Sequence, residues 1–551
     1  MTIVSPNLDA SPSMIRNDHL FRLLAAAIAV LAILVRAWMS WHTHFTGEDA
    51  MITLRYAENL AHGRGFVYNP GAHILGTTTP LYTLLLALFA WLHADAMTLG
   101  KACNILAEGL TCFLLARMLA RPDIRQPVAG LFAALFYAFS SLPITISISG
   151  METGLVTCAG VGAITAYLER RAIPLYVLGA LLFLLRIDGL LLFAFLAVTL
   201  ALQTRNIPWA AMGWCLLLVL PWLAFSFAYF GSPVPNSFCA KLAVYGHQQE
   251  APVVMMTASN HADFFRLFAQ NWMQRGILAL FVLGAATVFS PQRTQGREAP
   301  RGENRDLLSS SLVFRVTLVW LLAYYGTMFT SHVMMFGWYF LPPFPLYACV
   351  AALGGARLLV WLTQYRPEWW TPPRRTLAWR AALAIFMAAG VIRLPATRRE
   401  IAATQQLNDQ FFQPIGEWLG THVRPGERIL VESIGYIGYY SHQDILDEIG
   451  LVSPEILSSY RTGRPLQDIV KRLRPEWLCL RKDEEATLQA SPTDRFEIEY
   501  RRVGLFAIPN VVPYAIYHRA DLESFHHPGA TYPTPGLPDH APRLRRGGSA
   551  G

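Results

Sequence analysis

A chain of 551 residues that is 53% hydrophobic and 15% charged carries too little charge to coat a soluble globule. With a mean hydropathy of +0.33 it reads as an α-helical polytopic membrane protein. The net charge of +8 does not point to nucleic acid, because the basic residues fall in loops between apolar runs, where they set orientation.

Residues 1–19 form a polar lead, expected on the cytoplasmic side. The apolar run 20–40 ends without a small-residue cleavage site and is expected as a retained first helix. Further runs at 99–119, 128–148, 150–168, 172–203, 208–230, 273–290, 312–331, 338–362 and 377–394 are each long enough for a bilayer core of roughly 30 Å. The run 172–203 is too long for one pass and is expected as two; 80–93 is short enough to be tilted, interfacial or re-entrant. The expectation is eleven to thirteen transmembrane helices over 20–395.

Arg16 and Arg22, Glu169-Arg170-Arg171, Arg205, the arginines of the loop 291–306, Arg366, Arg374 and Arg375 mark one side as cytoplasmic. The first outer loop, 42–79, and the turns at 147–154, 186–189 and 331–340 then face outward. Arg121 and Arg125 conflict with this unless 80–93 does not cross. The seven cysteines are scattered singly, which argues against a disulfide framework or a zinc site.

After residue 395 the apolar runs shorten and charge rises, so a small α/β domain is expected over 396–522, on the extracytoplasmic side. A helix is predicted over 398–421, strands at 428–433 and 477–480, an amphipathic helix at 466–473 and two closing strands within 496–518. The Pro- and Gly-rich tail 523–551 is expected to be disordered.

The candidate chemistry lies in the outer loops. Glu48 and Asp49 directly follow the first apolar run, and carboxylates at a membrane face lose solvation and rarely stand there without a task. The segment after them has the pattern of an amphipathic interfacial helix, whose N-terminus would favour both acids in their ionised form. The alternatives are a plain solvated loop, or Asp49 as a helix cap. Thr77, Thr78 and Thr79 are candidate sugar contacts, with helix capping the better reading for any one of them. Arg186 and Asp188 interrupt a long apolar run; a guanidinium there suits a lipid-linked phosphate, and the alternative is a mutual ion pair pinning a helical hairpin. Glu152 reads equally as a substrate contact or an N-cap, and Lys241 offers a second cation. His332, Trp338 and Tyr339 read first as an interfacial aromatic belt. No phosphate loop, dinucleotide fingerprint, HExxH or GxSxG motif is present, which speaks against ATP hydrolysis and dinucleotide chemistry.

The succession GEDAMITLRYAENLAHGRGFVYNPG, SISGMETGL, RIDGLLLF, GWYFLPPFPLY and ESIGYIGYYSHQDILDEIGL resembles bacterial GT-C type glycosyltransferases over roughly 20–520. It is similar to the terminal arabinofuranosyltransferases that use a polyprenyl-phosphate sugar, and to the dolichyl-phosphate-mannose protein mannosyltransferase-like group. The resemblance implies an inverting transferase in the bacterial inner membrane, with its C-terminal domain periplasmic. Asp49 would be the base and Glu48 its partner. Arg186, Lys241 and Arg55 would bind the donor phosphate, and Glu152, Asp188, His332 and Tyr339 the substrates. Glu-Asp replaces the family's usual Asp-Asp, Ile187 replaces the proline of the RPDG-type turn, and Ala72 replaces the glutamate after Asn-Pro-Gly. The implied partners are a polyprenyl-phosphate sugar, a glycan, lipid or protein acceptor and membrane lipid. No cofactor is required, with a divalent ion between Glu48, Asp49 and the phosphate left open. A transporter or flippase for a lipid-linked or anionic substrate, with Arg186 and Asp188 as a gate, is the competing reading, and a non-catalytic envelope scaffold a third.

Overall fold

The computed structural model describes residues 18–122, 124–247, 272–289, 319–326, 336–365, 371–490 and 496–525. The chain divides into two compact units, Met1–Gln406 and Leu407–Gly551. The first is helical. Helix α1 (Asp18–Thr43) is followed by α2 (Glu48–Ala61), α3 (Pro80–Trp91), α4 (Ala96–Ala120), α5 (Pro127–Phe139) and α6 (Ser141–Ser147). Next come α7 (Thr153–Leu168), α8 (Ala172–Leu185), α9 (Gly189–Thr204), α10 (Trp209–Phe230) and α11 (Asn236–His247). Helices Trp272–Phe289, Phe344–Tyr365 and Pro372–Leu407 follow.

Among the described residues, four helical runs are long and apolar enough to cross a membrane: Asp18–Thr43, Ala96–Ala120, Trp209–Phe230 and Leu377–His422. α5 and α6, bent by 57° at Ser140, make a fifth if taken as one span. The expected eleven to thirteen is a larger number, because turns cut the apolar runs into pieces that hydropathy alone does not separate. The run 172–203 is indeed two helices, α8 and α9, broken at Arg186–Asp188. The predicted span 312–331 falls largely outside the described residues.

The conflict at Arg121 has a geometric answer. α3 has 12 residues, about 18 Å of helix, too short for the bilayer core. Its Tyr82 and Leu86 pack on Gly100, in the second turn of α4, so α3 lies beside the first turns of α4. α4 then runs away from the acid pair to Arg121, whose Nη2 donates to Leu168 O (2.9 Å) at the far end of α7.

Helices α1, α4 and α5 are clamped by a charge group with no solvent exposure. Arg36 Nη2 donates to Glu108 Oε2 (3.2 Å), Tyr137 Oη donates to Glu108 Oε1 (3.0 Å), and Arg36 Nη1 donates to Ala138 O (3.1 Å). α4 and α5 approach so closely that a side chain at Gly130 would strike the Ala116 carbonyl.

The second unit holds a five-stranded sheet in the order β2-β1-β3-β5-β4. Its strands are β1 (Arg428–Val431), β2 (Asp444–Asp447), β3 (Trp477–Arg481), β4 (Tyr500–Phe506) and β5 (Tyr514–Arg519). β1 pairs in parallel with β2 and β3, while β5 is antiparallel to β3 and β4. Helix Pro465–Leu473 buries Leu466, Ile469 and Val470 against Leu430, Leu446 and Leu478 of the sheet. The helix predicted over 398–421 is not a separate element: Pro372–Leu407 is followed by a π-helical turn, Asn408–Phe412, and by Gln413–His422. The tail beyond Phe525 lies outside the described residues.

Candidate active site

Helix α2 begins directly with the acid pair. Gly47 is its N-cap and makes no side-chain cap bond, so Glu48 and Asp49 occupy the first turn, and Asp49 is not the cap. Both carboxylates are half-buried. Residues 50–57 are buried on every face of α2, so the helix lies under protein cover and not along a lipid interface. The cover is the loop that follows it. Asn59 Nδ2 donates to Val67 O (2.8 Å) and Tyr68 O (2.9 Å), and Arg55 Nε donates to Tyr68 O (2.9 Å). Tyr56 Oη donates to Ile74 O (2.8 Å) and accepts from Gly76 N (2.9 Å). The Arg-Tyr-x-x-Asn pattern of α2, residues 55–59, thus folds residues 64–76 back over the helix. Arg55 has its guanidinium turned on Tyr68 and Asn69, 4.2 Å from the Tyr68 ring, so it braces this loop.

The second signature segment is tied to the first. Gly47 N donates to Ser149 O (2.7 Å), and Tyr82 Oη donates to Gly150 O (2.8 Å), where Gly150 has φ +84°. Asn104 Oδ1 accepts from Leu155 N (3.1 Å), fixing the start of α7. Glu152 is thereby held at the N-cap position of α7 yet makes no cap bond; its carboxylate lies 3.5 Å from Arg186 Nη1. The first turn of α2 packs on the turn that carries Glu152: Gly47 is bonded to Ser149, and a side chain at Gly150 would touch Ala50, the residue after Asp49.

Arg186 ends α8 in an extended conformation, and Asp188 is the N-cap of α9. The guanidinium forks onto Asp188, Nε to Oδ1 at 3.0 Å and Nη2 to Oδ2 at 2.9 Å. The hairpin ion pair that the sequence left open is therefore present, and Glu152 joins it. One donor remains: buried Nη1 of Arg186 makes no hydrogen bond among the described residues. Tyr339 closes the cluster, with the Arg186 guanidinium carbon 5.2 Å from its ring centre and Lys241 Nζ donating to its Oη at 3.3 Å. Lys241 sits on α11, whose first residue, Asn236, donates its N–H to Leu75 O (2.7 Å) in the loop over α2.

The structure thus gathers Asp49, Glu152, Arg186, Asp188, Tyr339 and Lys241, with Glu48 beside Asp49. Arg55 is drawn to other partners, and His332 lies outside the described residues. Thr79 holds the N-cap position of α3 but makes no side-chain cap bond; its Oγ1 pairs with that of Thr77 (3.0 Å) instead. Sequence reasoning missed Lys101, Asn104 and Tyr324, whose Oη donates to Tyr339 O (3.0 Å). The signal for the first two was there, as polar residues inside an apolar helix. Tyr324 had none, because a tyrosine near a helix end reads as belt.

A family model described as a domain of unknown function (DUF8728) matches residues 399–525. Part of the chain is similar to the terminal beta-(1->2)-arabinofuranosyltransferase of Mycobacterium tuberculosis, 30% identical over 142 residues, which is 24% of this chain and 22% of that protein. The chain therefore spans less than a quarter of the length of the curated relative it matches. In fold, the chain is similar to ArnT from Cupriavidus metallidurans, solved bound to undecaprenyl phosphate, with a TM-score of 0.51 and 11% identity over 90% of this chain and 97% of that one. The apo form of the same ArnT aligns over the same shares with a TM-score of 0.49. The protein is a multi-pass membrane protein with the GT-C type of fold that its sequence motifs resemble.

Proposed function

We propose that the chain is an inverting glycosyltransferase. It moves a sugar from a polyprenyl-phosphate donor to an envelope glycan, lipid or protein on the periplasmic face of the bacterial inner membrane. The observation that supports this is that a half-buried carboxylate, Asp49, starts a helix packed on the turn whose Glu152 pairs with Arg186, with Lys241 reaching the same cluster through Tyr339. Displacing a lipid phosphate with a hydroxyl needs a base for the incoming proton and positive charge for the leaving group, and these residues supply both.

Arg186 Nη1, which makes no hydrogen bond among the described residues and stands 3.5 Å from Glu152, donates to a phosphate oxygen, and Lys241 supplies the second charge. Asp188 and Glu152 hold the guanidinium in place, and Glu152 also faces the sugar. Asp49 takes the acceptor's hydroxyl proton, the oxygen attacks the anomeric carbon, and the bond from that carbon to the phosphate oxygen breaks. Its electrons leave with the polyprenyl phosphate, and the anomeric configuration inverts. Glu48 keeps the acceptor hydroxyl oriented. The step as written draws its positive charge from side chains and calls for no metal. ArnT bound to undecaprenyl phosphate supports a polyprenyl-phosphate donor, and the arabinofuranosyltransferase match supports a pentose.

Mass spectrometry of envelope glycans from cells with the unchanged gene, without it, and with Asp49→Asn tests the reading. The transferred sugar is the mass lost in the deletion, and Asp49→Asn loses the same mass while the protein still inserts. An unchanged glycan profile in the deletion, or normal product from Asp49→Asn, refutes it.

A further inference from the structure

We infer that Lys101 is a positioning residue: it fixes the four-residue connector between α1 and α2 and so sets where Asp49 stands. The inference rests on the reading of Asp49 as the base.

Lys101 lies in the second turn of α4 and is 7% exposed. Its Nζ donates to Phe45 O at 2.6 Å and Thr46 Oγ1 at 2.8 Å, with His44 O at 3.5 Å. An ammonium has three donors, and here all three point at residues 44–46. The rest of the connector is tied as well. Thr46 N donates to Gln405 Oε1 (2.9 Å) and Gly47 N to Ser149 O (2.7 Å), while His44 turns the chain in the left-handed region, φ +50°. The next two residues are Glu48 and Asp49.

Two features separate this from ordinary packing. First, the hydrogen-bond partners of Lys101 are neutral oxygens; Asp95, the N-cap of α4, attracts the ammonium but spends its carboxylate on Thr98, so the charge is only partly compensated, and a methionine would fill the same space without that cost. Second, the ammonium does not bridge helix faces. It converges on the last carbonyls after α1, where a cation also suits the helix dipole, and on the short segment whose path decides the position of the acids. A connector of four residues cannot absorb a shift at Phe45 without passing it to Asp49. A displacement of about 1 Å in a reacting group costs on the order of a hundredfold in rate.

The test uses the full chain in its native membrane, with undecaprenyl phosphate as the binding probe and the glycan product per folded protein as the rate readout. Lys101→Met is expected to bind undecaprenyl phosphate within about twofold of the unchanged chain while product formation falls roughly ten- to a hundredfold. Lys101→Arg, which restores charge and donors, is expected to recover all but about threefold of that loss. Full product from Lys101→Met overturns the inference, and so does a parallel loss of undecaprenyl phosphate binding, which marks a merely structural role. If Lys101→Met fails to fold, Thr46→Val decides: a several-fold fall in product upholds the inference and an unchanged rate sinks it. Asp49→Asn keeps the two readings apart. Normal product there refutes the base itself, whereas no product there with full product from Lys101→Met refutes Lys101 alone.

Discussion

The helical unit contains two groups of buried charge, and they are built for different purposes. Arg36, Glu108 and Tyr137 sit inside α1, α4 and α5 with no exposure, and both Glu108 oxygens have donors. Arg186, Glu152 and Asp188 sit at helix ends and pair with one another, in a region that also holds the half-buried Asp49 and Lys241. The first group lies within the packed length of three helices; the second lies where helices end, beside charged side chains that are only half-buried. An ionisable residue in an apolar run is therefore an incomplete sign of a site. The fuller sign is that residue at a helix end, beside charged side chains that are only half-buried.

The largest effect expected from this contrast is at Asp49. Asp49→Asn keeps shape and removes the base, so product formation falls about a hundred- to ten-thousandfold with membrane insertion intact. The mirror-image result is expected at Glu108. Glu108→Ala leaves Arg36 buried and unmatched at a cost of about 3–5 kcal/mol, read as loss of folded protein in detergent, while the double change Arg36→Met, Glu108→Leu recovers most of it. Folded, inactive Glu108→Ala would merge the two groups into one site and break the distinction.

Lys241→Met sharpens the contrast from the other side. A charge-assisted hydrogen bond contributes about 1.5–3 kcal/mol, so undecaprenyl phosphate binding is expected to weaken roughly ten- to a hundredfold, measured by equilibrium binding, with thermal stability unchanged. Unaltered binding would leave Arg186 as the sole phosphate cation among the residues proposed for that role.

Much of this was legible in the sequence, for identifiable reasons. Hydropathy located α1, α4 and α10, and the break at Arg186–Asp188 announced itself because charge inside an apolar run has to be matched. In the second unit, β1, β3 and the helix Pro465–Leu473 followed from apolar pattern. β2 was missed because Asp444-Ile445-Leu446-Asp447 offers only two apolar residues, and its parallel pairing with β1 is a tertiary choice. The role of Arg55 was also out of reach. A guanidinium just after an acid pair looks like a phosphate ligand until the loop folds back and gives it Tyr68 O. Lys101 escaped because two of its three partners are backbone carbonyls and all lie 55 to 57 residues away, so no local pattern points to them.

The smallest effect is expected away from the helices, where the sheet has a charge group of a third kind. Glu432 and Arg481 stand at the ends of β1 and β3, with Asp447 and Glu448 at the end of β2, and Glu484 is bound to Arg481. Burial pushes the Asp447 carboxyl up to about 7, against the opposing N–H groups of Ile449 and Val452. Burial and the neighbouring Glu484 also hold Glu448 well above the usual carboxylate range, with Arg481 opposing, and Glu448 Oε2 is buried without a hydrogen bond. Groups raised in the folded state bind protons that the unfolded chain has released. Their stabilising effect is complete below about pH 4 and is lost as pH rises through each group's folded value, about 7 for Asp447, by up to about 1.4 kcal/mol per pH unit for each group. The unit is therefore expected to be more stable at pH 5.5 than at pH 8, and Glu448→Gln to flatten that slope by removing one like charge. Labelling of the buried Cys479 thiol on β3, compared between the two proteins at each pH, reports the opening of this unit. Parallel pH profiles would show that Glu448 is matched by a partner, and would make the group in the sheet as closed as the one around Glu108.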